Sequence, residues 1–230
     1  MKRKELQQER EEWRRERFRR SIIEAAERII VRKGYQLVTM DDVARGAEIS
    51  KATLYKYFRS KGDLTVEILA HFFEELDEGV RKIGSLPVSA SEKLKKGIRL
   101  YLQFNVDKEN ISRMLIMDRA FFERMRVFMT QGEESASDLD RRFITKMKIK
   151  RREILDRVSG FLKEGMASGE FRKIDIPAAV TFLEAVLQGY CHVRYWHDRP
   201  YSVREATEVI HSHFLQGINR HKGIAKGASK

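Results

Sequence analysis

The chain contains few of the residues that cross-link or interrupt a fold. Its one cysteine, Cys191, cannot form an internal disulfide, so a reducing compartment is the simplest inference. Its three prolines, Pro87, Pro177 and Pro200, leave long stretches free to form helix. No apolar run approaches the roughly 18 residues that span a membrane, and the charged N-terminus lacks the apolar segment of a signal peptide. We therefore expect a cytoplasmic protein without a membrane partner.

Catalytic and metal-binding signatures are also missing from the sequence. It contains no G-x-S-x-G, H-E-x-x-H or C-x-x-C motif. The tail "GIAKGASK" loosely resembles a phosphate-binding loop, but no predicted strand precedes it and no predicted helix follows it. Cys191 and His197 are six residues apart, a spacing that does not place them on one helical face. The sequence therefore predicts no enzyme, no catalytic residue, no metal site and no cofactor.

Positive charge is present in excess. The chain has 46 Lys and Arg against 34 Asp and Glu, which gives a net charge of +12. This balance indicates nucleic acid or another anionic surface as the first partner to consider. On charge alone, a solvated basic protein remains an equal alternative. With 230 residues and 42% hydrophobic content, the chain can form one large domain or a small domain followed by a larger one.

Apolar residues recur at helical spacing along the chain, and no stretch alternates over a strand's length, which predicts an all-α fold. A first helix begins in the charged leader and ends near Gly34, a residue suited to the position after a helix. Thr39, Ser50 and Ser60 are predicted N-caps, and Ser202 with Glu205 forms a capping box. The further predicted helices run approximately over 40–47, 51–58, 61–81, 89–104, 109–130, 139–167, 175–196 and 202–220.

This pattern divides the chain near residue 64. Residues 1–64 are predicted to be a three-helix helix-turn-helix domain with a charged N-terminal extension. Residues 65–222 are predicted to be a larger α-helical domain, and residues 223–230 a flexible tail.

The short helices 40–47 and 51–58, joined by "EIS", have the arrangement of a helix-turn-helix. In that arrangement the N-terminal end of the second helix enters the major groove. Leu54 and Phe58 share one face and are expected to pack inward. The residues left near the leading end and suited to base edges are Lys51, Ala52 and Tyr55. Hydroxyls and helix N-termini suited to phosphate are provided by Thr39, Ser50, Thr53, Tyr57 and Lys61. For the three N-caps capping alone is the alternative, and for the two tyrosines packing at the edge of the unit.

The stretch "TMDDVARGAEISKATLYKYFRSKGDL", with "AAERIIVRKGYQ" before it, resembles the DNA-binding domain of the TetR/AcrR family of bacterial transcriptional regulators. The resemblance covers about residues 18–66, and the rest of the chain matches in layout. It implies the same base and phosphate contacts. The chain departs from many family members in its leader, where residues 1–20 carry nine Lys and Arg and five Glu. The leader is either a helical arm that adds DNA contacts or a solvated helix extension.

The middle of the chain is rich in methionine and phenylalanine. By the resemblance, its helices enclose an effector pocket, and an apolar effector suits such a lining. An ordinary core is the alternative. The predicted pocket residues are Tyr101, Phe104, Met114, Met117, Phe121 and Met125.

The last two predicted helices carry apolar faces with small residues, which suits a four-helix bundle between two chains. The resemblance implies that this bundle is the dimer interface. The predicted interface residues are Phe182, Val186, Gly189, Tyr190, Val209, Ile210 and Phe214. Together these features predict a homodimeric regulator, more specifically a repressor, that is released from a palindromic operator by a small molecule. A sequence-nonspecific DNA-binding protein and an all-α enzyme are the alternatives.

Overall fold

The structure is a computed structural model that describes residues 2–112, 138–194 and 201–218. A short 3₁₀ turn, Tyr35–Leu37, follows the first helix. The α-helices are α1 Lys2–Lys33, α2 Met40–Gly46, α3 Lys51–Tyr57, α4 Lys61–Gly84, α5 Ala90–Asp107, α6 Asp138–Ala167, α7 Ile176–Val193 and α8 Val203–Ile218. The all-α prediction is confirmed: the described ranges contain no strand longer than a single bridge residue, Phe171. None of the described helices is both long and apolar enough to cross a membrane.

The chain forms two compact units. The first comprises Met1–Glu75 and Asp107–Arg151, and the second comprises Leu76–Val106 and Arg152–Lys230. Helix α4 begins in the first unit and ends in the second. The division predicted near residue 64, between a three-helix unit and a larger helical bundle, stays a prediction.

Local capping chemistry fixes the start of each short helix in the first unit. The Thr39 hydroxyl accepts a hydrogen bond from the backbone N–H of Asp42, while the Asp42 carboxylate accepts one from the backbone N–H of Thr39. Ser50 accepts from the N–H of Thr53, and Ser60 accepts from the N–H of Asp63. The three predicted N-caps are therefore confirmed.

Glycine follows two helix ends at which the backbone adopts the left-handed conformation. Gly34 (φ 79°) follows α1, and Gly169 (φ 76°) lies two residues beyond α6. A side chain at either position would be strained, so both ends depend on glycine. The same conformation recurs at Glu48 (φ 57°), in the turn between α2 and α3.

The core of the first unit forms where α1 meets the short helices. Its buried residues include Ile22, Ala26, Ile30, Val43, Leu54, Phe58 and Ile68. The second unit has a separate core, with buried residues that include Leu94, Ile98, Leu102, Phe161, Leu162, Leu183 and Phe214. Each unit therefore has its own core of buried apolar side chains.

Hydrogen bonds of two polar side chains, Glu170 and Arg172, cap helix ends in the second unit. The Glu170 carboxylate accepts hydrogen bonds from the backbone N–H groups of Ala90 (3.0 Å) and Ser91 (2.9 Å), which caps α5. Arg172 donates to the carbonyl of Gly217 through Nε and Nη2, and its backbone N–H donates to Ile218, which caps α8.

Some predicted boundaries differ from the structure by a few residues. Helix α5 continues to Asp107, three residues past the predicted end, and within it the side-chain amide of buried Asn105 donates to the Tyr101 carbonyl. Helix α4 continues to Gly84 rather than Arg81. Residues 109–112 of the predicted helix 109–130 are helical. The remainder of that helix and the tail 223–230 lie outside the described residues.

Candidate nucleic-acid interface

Helix α3 is short because it has little to bury. Leu54 within it and Phe58 at its C-cap are both fully buried. The turn before α3 is held by a hydrogen bond from the backbone N–H of Ile49 to the Ala44 carbonyl, 3.0 Å long. The other side chains of α3 are exposed or half-buried, so its outer face is free of the core.

The three residues predicted to read bases all lie on this outer side. Lys51, Ala52 and Tyr55 are exposed, and Tyr55 retains 43% of its accessible surface. Lys51 is paired: its ammonium lies 2.7 Å from the carboxylate of Asp41 on α2. That hydrogen bond raises the pKa of Lys51 above its ordinary value, so its charge is fixed at neutral pH. A DNA acceptor at Lys51 would therefore either share the ammonium with Asp41 or replace it, since an ammonium has three N–H donors.

The predicted phosphate contacts fall into two groups. In the first, Thr39, Ser50 and Thr53 are joined in capping hydrogen bonds, including a 2.8 Å contact between the Ser50 and Thr53 hydroxyls. Their hydroxyls are held in place at the starts of α2 and α3. Hydrogen bonds from Thr39, and to a smaller extent from Lys33, hold the pKa of the Asp42 carboxyl well below its usual range.

The second group, Tyr57 and Lys61, makes tertiary contacts. The Tyr57 ring packs against Phe18 of α1 with 5.2 Å between the ring centroids. The Lys61 ammonium donates to the carbonyl of Tyr35, 2.9 Å away, and lies 4.4 Å from the centre of its ring. Thr39, Tyr35 and Lys61 line one small depression. The structure thus brings Thr39 and Lys61 together at the start of α4.

A buried charged cluster in the first unit was not predicted from the sequence. The Glu27 carboxylate of α1 lies 2.9 Å from His71 Nδ1 on α4. The Lys108 ammonium contacts both Glu27 (3.1 Å) and Glu75. Arg20 donates to His71 Nε2 at 3.4 Å. The i,i+4 spacing of His71 and Glu75 was a usable signal in the sequence, but the distant positions of Glu27 and Lys108 gave none.

This cluster has the ligand types of a metal site. The ligand atoms of Glu27, His71 and Glu75 all lie within 4.8 Å of one another. The Lys108 ammonium already bonds to both carboxylates, so the negative charge is balanced by the protein itself. The geometry therefore indicates a structural ion-pair cluster that joins α1, α4 and the segment after α5.

The predicted effector pocket is only partly within the described residues. Tyr101 and Phe104 are half-buried on α5, and burial raises the pKa of Tyr101 well above its ordinary value. Met114, Met117, Phe121 and Met125 lie outside the described residues. The pocket therefore stays a prediction.

The predicted dimer residues separate into outer and inner sets. Phe182 (61% exposed), Gly189 and Val209 (44% exposed) lie on the surface, and Val186 and Tyr190 are half-buried. Ile210 and Phe214 are buried in the core of the second unit, where they can support the surface from behind.

Helix α7 adds an exposed residue that sequence reasoning missed. Val193, 46% exposed, extends a stripe formed by Phe182, Val186 and Gly189 at spacings of four, three and four. That spacing places the four residues on one helical face, separate from the face that buries Leu183 and Leu187. Burial raises the pKa of the Cys191 thiol on the inner side to about 11, as expected for an unreactive core cysteine.

Comparison with known proteins agrees with these features. Residues 22–68 match the family described as "Bacterial regulatory proteins, tetR family". The chain is 22% identical over 203 residues to the fatty acid metabolism regulator protein of Bacillus subtilis. The aligned region covers 86% of this chain and 94% of that protein. It is 32% identical over 124 residues to the transcriptional repressor KstR of Rhodococcus jostii, covering 53% of this chain and 52% of KstR. Two other curated regulators are matched over 38% and 39% of their own length.

The fold is shared over nearly the whole chain. The crystal structure of FadR from Bacillus subtilis in complex with stearoyl-CoA superimposes with a TM-score of 0.64 at 20% identity, over 86% of this chain and 98% of FadR. Residues 22–68 thus match the helix-turn-helix region of the tetR family of bacterial regulatory proteins, and the chain as a whole shares the fold of the FadR structure.

Proposed function

We propose that this protein is a ligand-responsive repressor that binds a palindromic operator as a homodimer. The observation that carries the proposal is the outer face of α3, where Lys51, Ala52 and Tyr55 are exposed while Leu54 and Phe58 fix the helix from behind. A helix held in this way presents its leading end to a major groove. A DNA regulator acts where the DNA is, so we assign the protein to the cytoplasm.

A dimer follows from the α7 stripe together with Val209. Exposed apolar residues in a continuous stripe are costly in water and are typical of an interface. A two-fold dimer would present two α3 helices to successive major grooves, about 34–36 Å apart. Palindromic half-sites are the DNA counterpart of that symmetry.

The proposed effector is an apolar small molecule bound among α5 and its neighbouring helices. The structure similar to this chain that contains stearoyl-CoA supports an elongated acyl ligand, as does the relative named for fatty acid metabolism. The name of KstR as a repressor supports the direction of regulation. Tyr101 and Phe104 on α5 are the described residues proposed to line the pocket.

Helix α4 supplies a route from effector to DNA. It is one continuous helix from Lys61 to Gly84, and its first residue is bonded to the Tyr35 carbonyl of the DNA-binding segment. An effector that binds more tightly to one position of α4 shifts the population toward that position. In the proposed mechanism this displaces α3, changes the separation of the two α3 helices and weakens operator binding.

Selection from random duplexes tests the DNA-binding proposal. The purified protein is mixed with a pool of random DNA, and the bound sequences are amplified and read. Recovery of a palindrome supports the proposal, whereas equal retention of all sequences would identify a nonspecific DNA-binding protein.

Substitution at Lys51 then tests the assigned base contact on the recovered operator. We expect Lys51→Gln to reduce operator affinity by about 10-fold and to relax preference at one base-pair position, because one bidentate contact is worth about 1–3 kcal/mol. Lys82→Gln is the matched control, since Lys82 is an exposed α4 lysine and the same charge is removed. Equal losses in both variants would show that charge, rather than base contact, determines affinity.

The effector is tested by mass spectrometry of small molecules that remain bound through purification, followed by titration into the operator complex. Release of DNA by long-chain acyl-CoA or fatty acid supports the apolar class. Binding of a ligand without any change in operator affinity would contradict the proposed coupling.

A further inference from the structure

Helix α1 is much longer than its unit requires. It runs from Lys2 to Lys33, yet its first buried residue is Ile22. Residues 6–18 are exposed throughout. At about 1.5 Å per residue, the segment from Leu6 to Arg17 extends about 18 Å beyond the core. We refer to residues 6–20 of α1 as the α1 extension.

One exposed face of α1 carries arginines, and within residues 6–20 it carries no glutamate. At about 100° per residue, a sector roughly 60° wide contains the exposed residues Arg10, Arg14, Arg17, Arg28 and Arg32. We call this set the arginine face. The glutamates of the extension, Glu9, Glu11, Glu12 and Glu16, project outside that sector. A helix that needed charge only for solubility would mix both signs on every exposed side.

The arginines of the extension are available for a ligand. Among the described residues, no carboxylate lies within salt-bridge distance of Arg10 or Arg14. The Arg17 guanidinium lies 5.2 Å from the centre of the Trp13 ring, a contact that leaves its N–H donors free to bond an anion. In contrast, Arg19 on the other side of the helix is paired with Glu67 of α4 at 2.9 Å.

Neighbouring contacts show on which side of the unit the arginine face opens. Phe18, which borders the face, packs against Tyr57 at the end of α3. Arg19 and Arg20, away from the face, contact Glu67 and His71 of α4. The arginine face therefore opens beside α3 at Arg10 and Arg14, while Arg17 at its edge borders a cavity that α4 also lines.

The course of α1 connects two of the proposed phosphate-binding positions. Near its C-terminus, Lys33 bonds to Asp42 (3.1 Å) beside the Thr39 cap of α2. Near residue 18 it reaches Tyr57 of α3. A straight helix that passes both positions continues outward from the half-site, and its 18 Å extension matches about five base pairs at 3.4 Å each.

We propose that the arginine face of the α1 extension binds the phosphate backbone of duplex DNA that flanks the operator half-site. This inference rests on the proposed DNA-binding function and adds to it a longer footprint without base reading. Guanidinium groups bind phosphate oxygens in a bidentate manner, and each neutralised phosphate releases counterions, so affinity gains an additional dependence on salt.

The test compares a minimal operator duplex with the same operator lengthened at each end by about eight base pairs of random sequence. Affinities are measured by fluorescence anisotropy at several salt concentrations for the full-length protein. We expect the flanks to increase wild-type affinity by about 10-fold at low salt and to steepen the dependence on salt by about one unit or more per half-site.

Two neighbouring residues provide a matched pair of variants. Arg14 lies on the arginine face, whereas Arg15 is exposed about 100° away, and both changes to Gln remove one charge from a helix former. We expect Arg14→Gln to lose part of the gain from the flanks and Arg10→Gln with Arg14→Gln and Arg17→Gln to lose all of it. Arg15→Gln should keep the gain, and every variant should bind the minimal operator like wild type.

Each contrary outcome has a distinct meaning. Normal binding of the minimal operator without any gain from flanks overturns this inference alone. Equal losses for Arg14→Gln and Arg15→Gln overturn it in favour of a general charge effect. A loss on anionic phosphatidylserine vesicles but not on flanked DNA overturns it in favour of a membrane surface. Failure to bind any operator overturns the proposed function itself.

Discussion

The exposed faces of α3 and α7 differ in chemistry although both helices are anchored by apolar residues. Helix α3 buries Leu54 and turns a lysine, an alanine methyl and a tyrosine outward. Helix α7 buries Leu183 and Leu187 and turns Phe182 and Val193 outward. The exposed residues of each helix match the partner that the proposed function assigns to it: a polar, anionic groove for α3 and another apolar surface for α7.

The largest expected effect comes from making the α7 face resemble the α3 face. Phe182→Lys places an ammonium in the proposed dimer interface, where burial without a partner is costly. We expect a monomer by light scattering and about a 1,000-fold loss of operator affinity, because two linked half-sites become independent.

Gln188→Lys is the control for that experiment. Gln188 is also exposed on α7 but lies outside the apolar stripe, and its change adds the same charge beside Glu184. The control should remain a dimer. A dimeric Phe182→Lys variant would show that the α7 face is not the interface.

The next effect comes from reversing the charge preference of the α3 face. Ala52→Glu adds a carboxylate at the exposed leading turn of α3, where in the proposed complex it would enter the negative field of the DNA groove. We expect about a 100-fold loss of operator affinity in anisotropy titrations with unchanged thermal stability, because position 52 contributes nothing to the core. Gln188→Glu, which adds the same charge on α7, should bind within about 2-fold of wild type. Equal weakening by both would argue against a DNA-facing role for α3.

A smaller effect is expected at the edge of the α3 face. Tyr57→Phe with Lys61→Ala removes one hydroxyl and one ammonium from the proposed phosphate contacts. We expect about a 10-fold loss of affinity and a salt dependence reduced by about one unit. Lys82→Ala is the control for lost charge. Because Lys61 also bonds to the Tyr35 carbonyl, the melting temperature is measured alongside affinity. Unchanged affinity and salt dependence would refute these phosphate contacts.

The smallest expected effect concerns His71, which is buried in the first unit, and the dependence of stability on pH. The hydrogen bond with Glu27 raises the pKa of His71 above 6.5, with help from Glu75, while burial and Arg20 oppose it. Lys108, which is bonded to both carboxylates, also faces the cluster. A raised folded-state pKa contributes stability that is fully present below the unfolded value and is lost as pH rises through the folded value.

We therefore expect wild type to lose stability relative to His71→Gln as pH is raised from about 6 to 8. Thermal melts across this range, at constant ionic strength, measure the difference. Parallel pH profiles for the two proteins would show that the pKa of His71 is the same in the folded and the unfolded state.

The sequence predicted features that depend on neighbours within one turn. The caps at Thr39, Ser50 and Ser60 and the end of α1 before Gly34 follow from local chemistry, and the structure confirms them. The inward packing of Leu54 and Phe58 was predicted for the same reason, since both lie on one face of a short helix.

Features that join distant segments were not predictable in this way. Glu27, His71 and Lys108 meet although 44 and 81 residues separate Glu27 from the other two. The contact between Phe18 and Tyr57 likewise depends on how α1 crosses α3. Pairing of charges or rings across such separations is set by the packing angles of helices, which one sequence does not specify.

If α3 reads DNA as proposed, the ion pair between Asp41 and Lys51 bears on how long the protein stays on each stretch of DNA. We expect the Asp41 carboxylate to shorten residence on random DNA, because it repels nearby phosphates and competes for the Lys51 ammonium. A guanine that accepts from Lys51 at the proposed operator would offset this repulsion, so residence would lengthen only where the matching base is present.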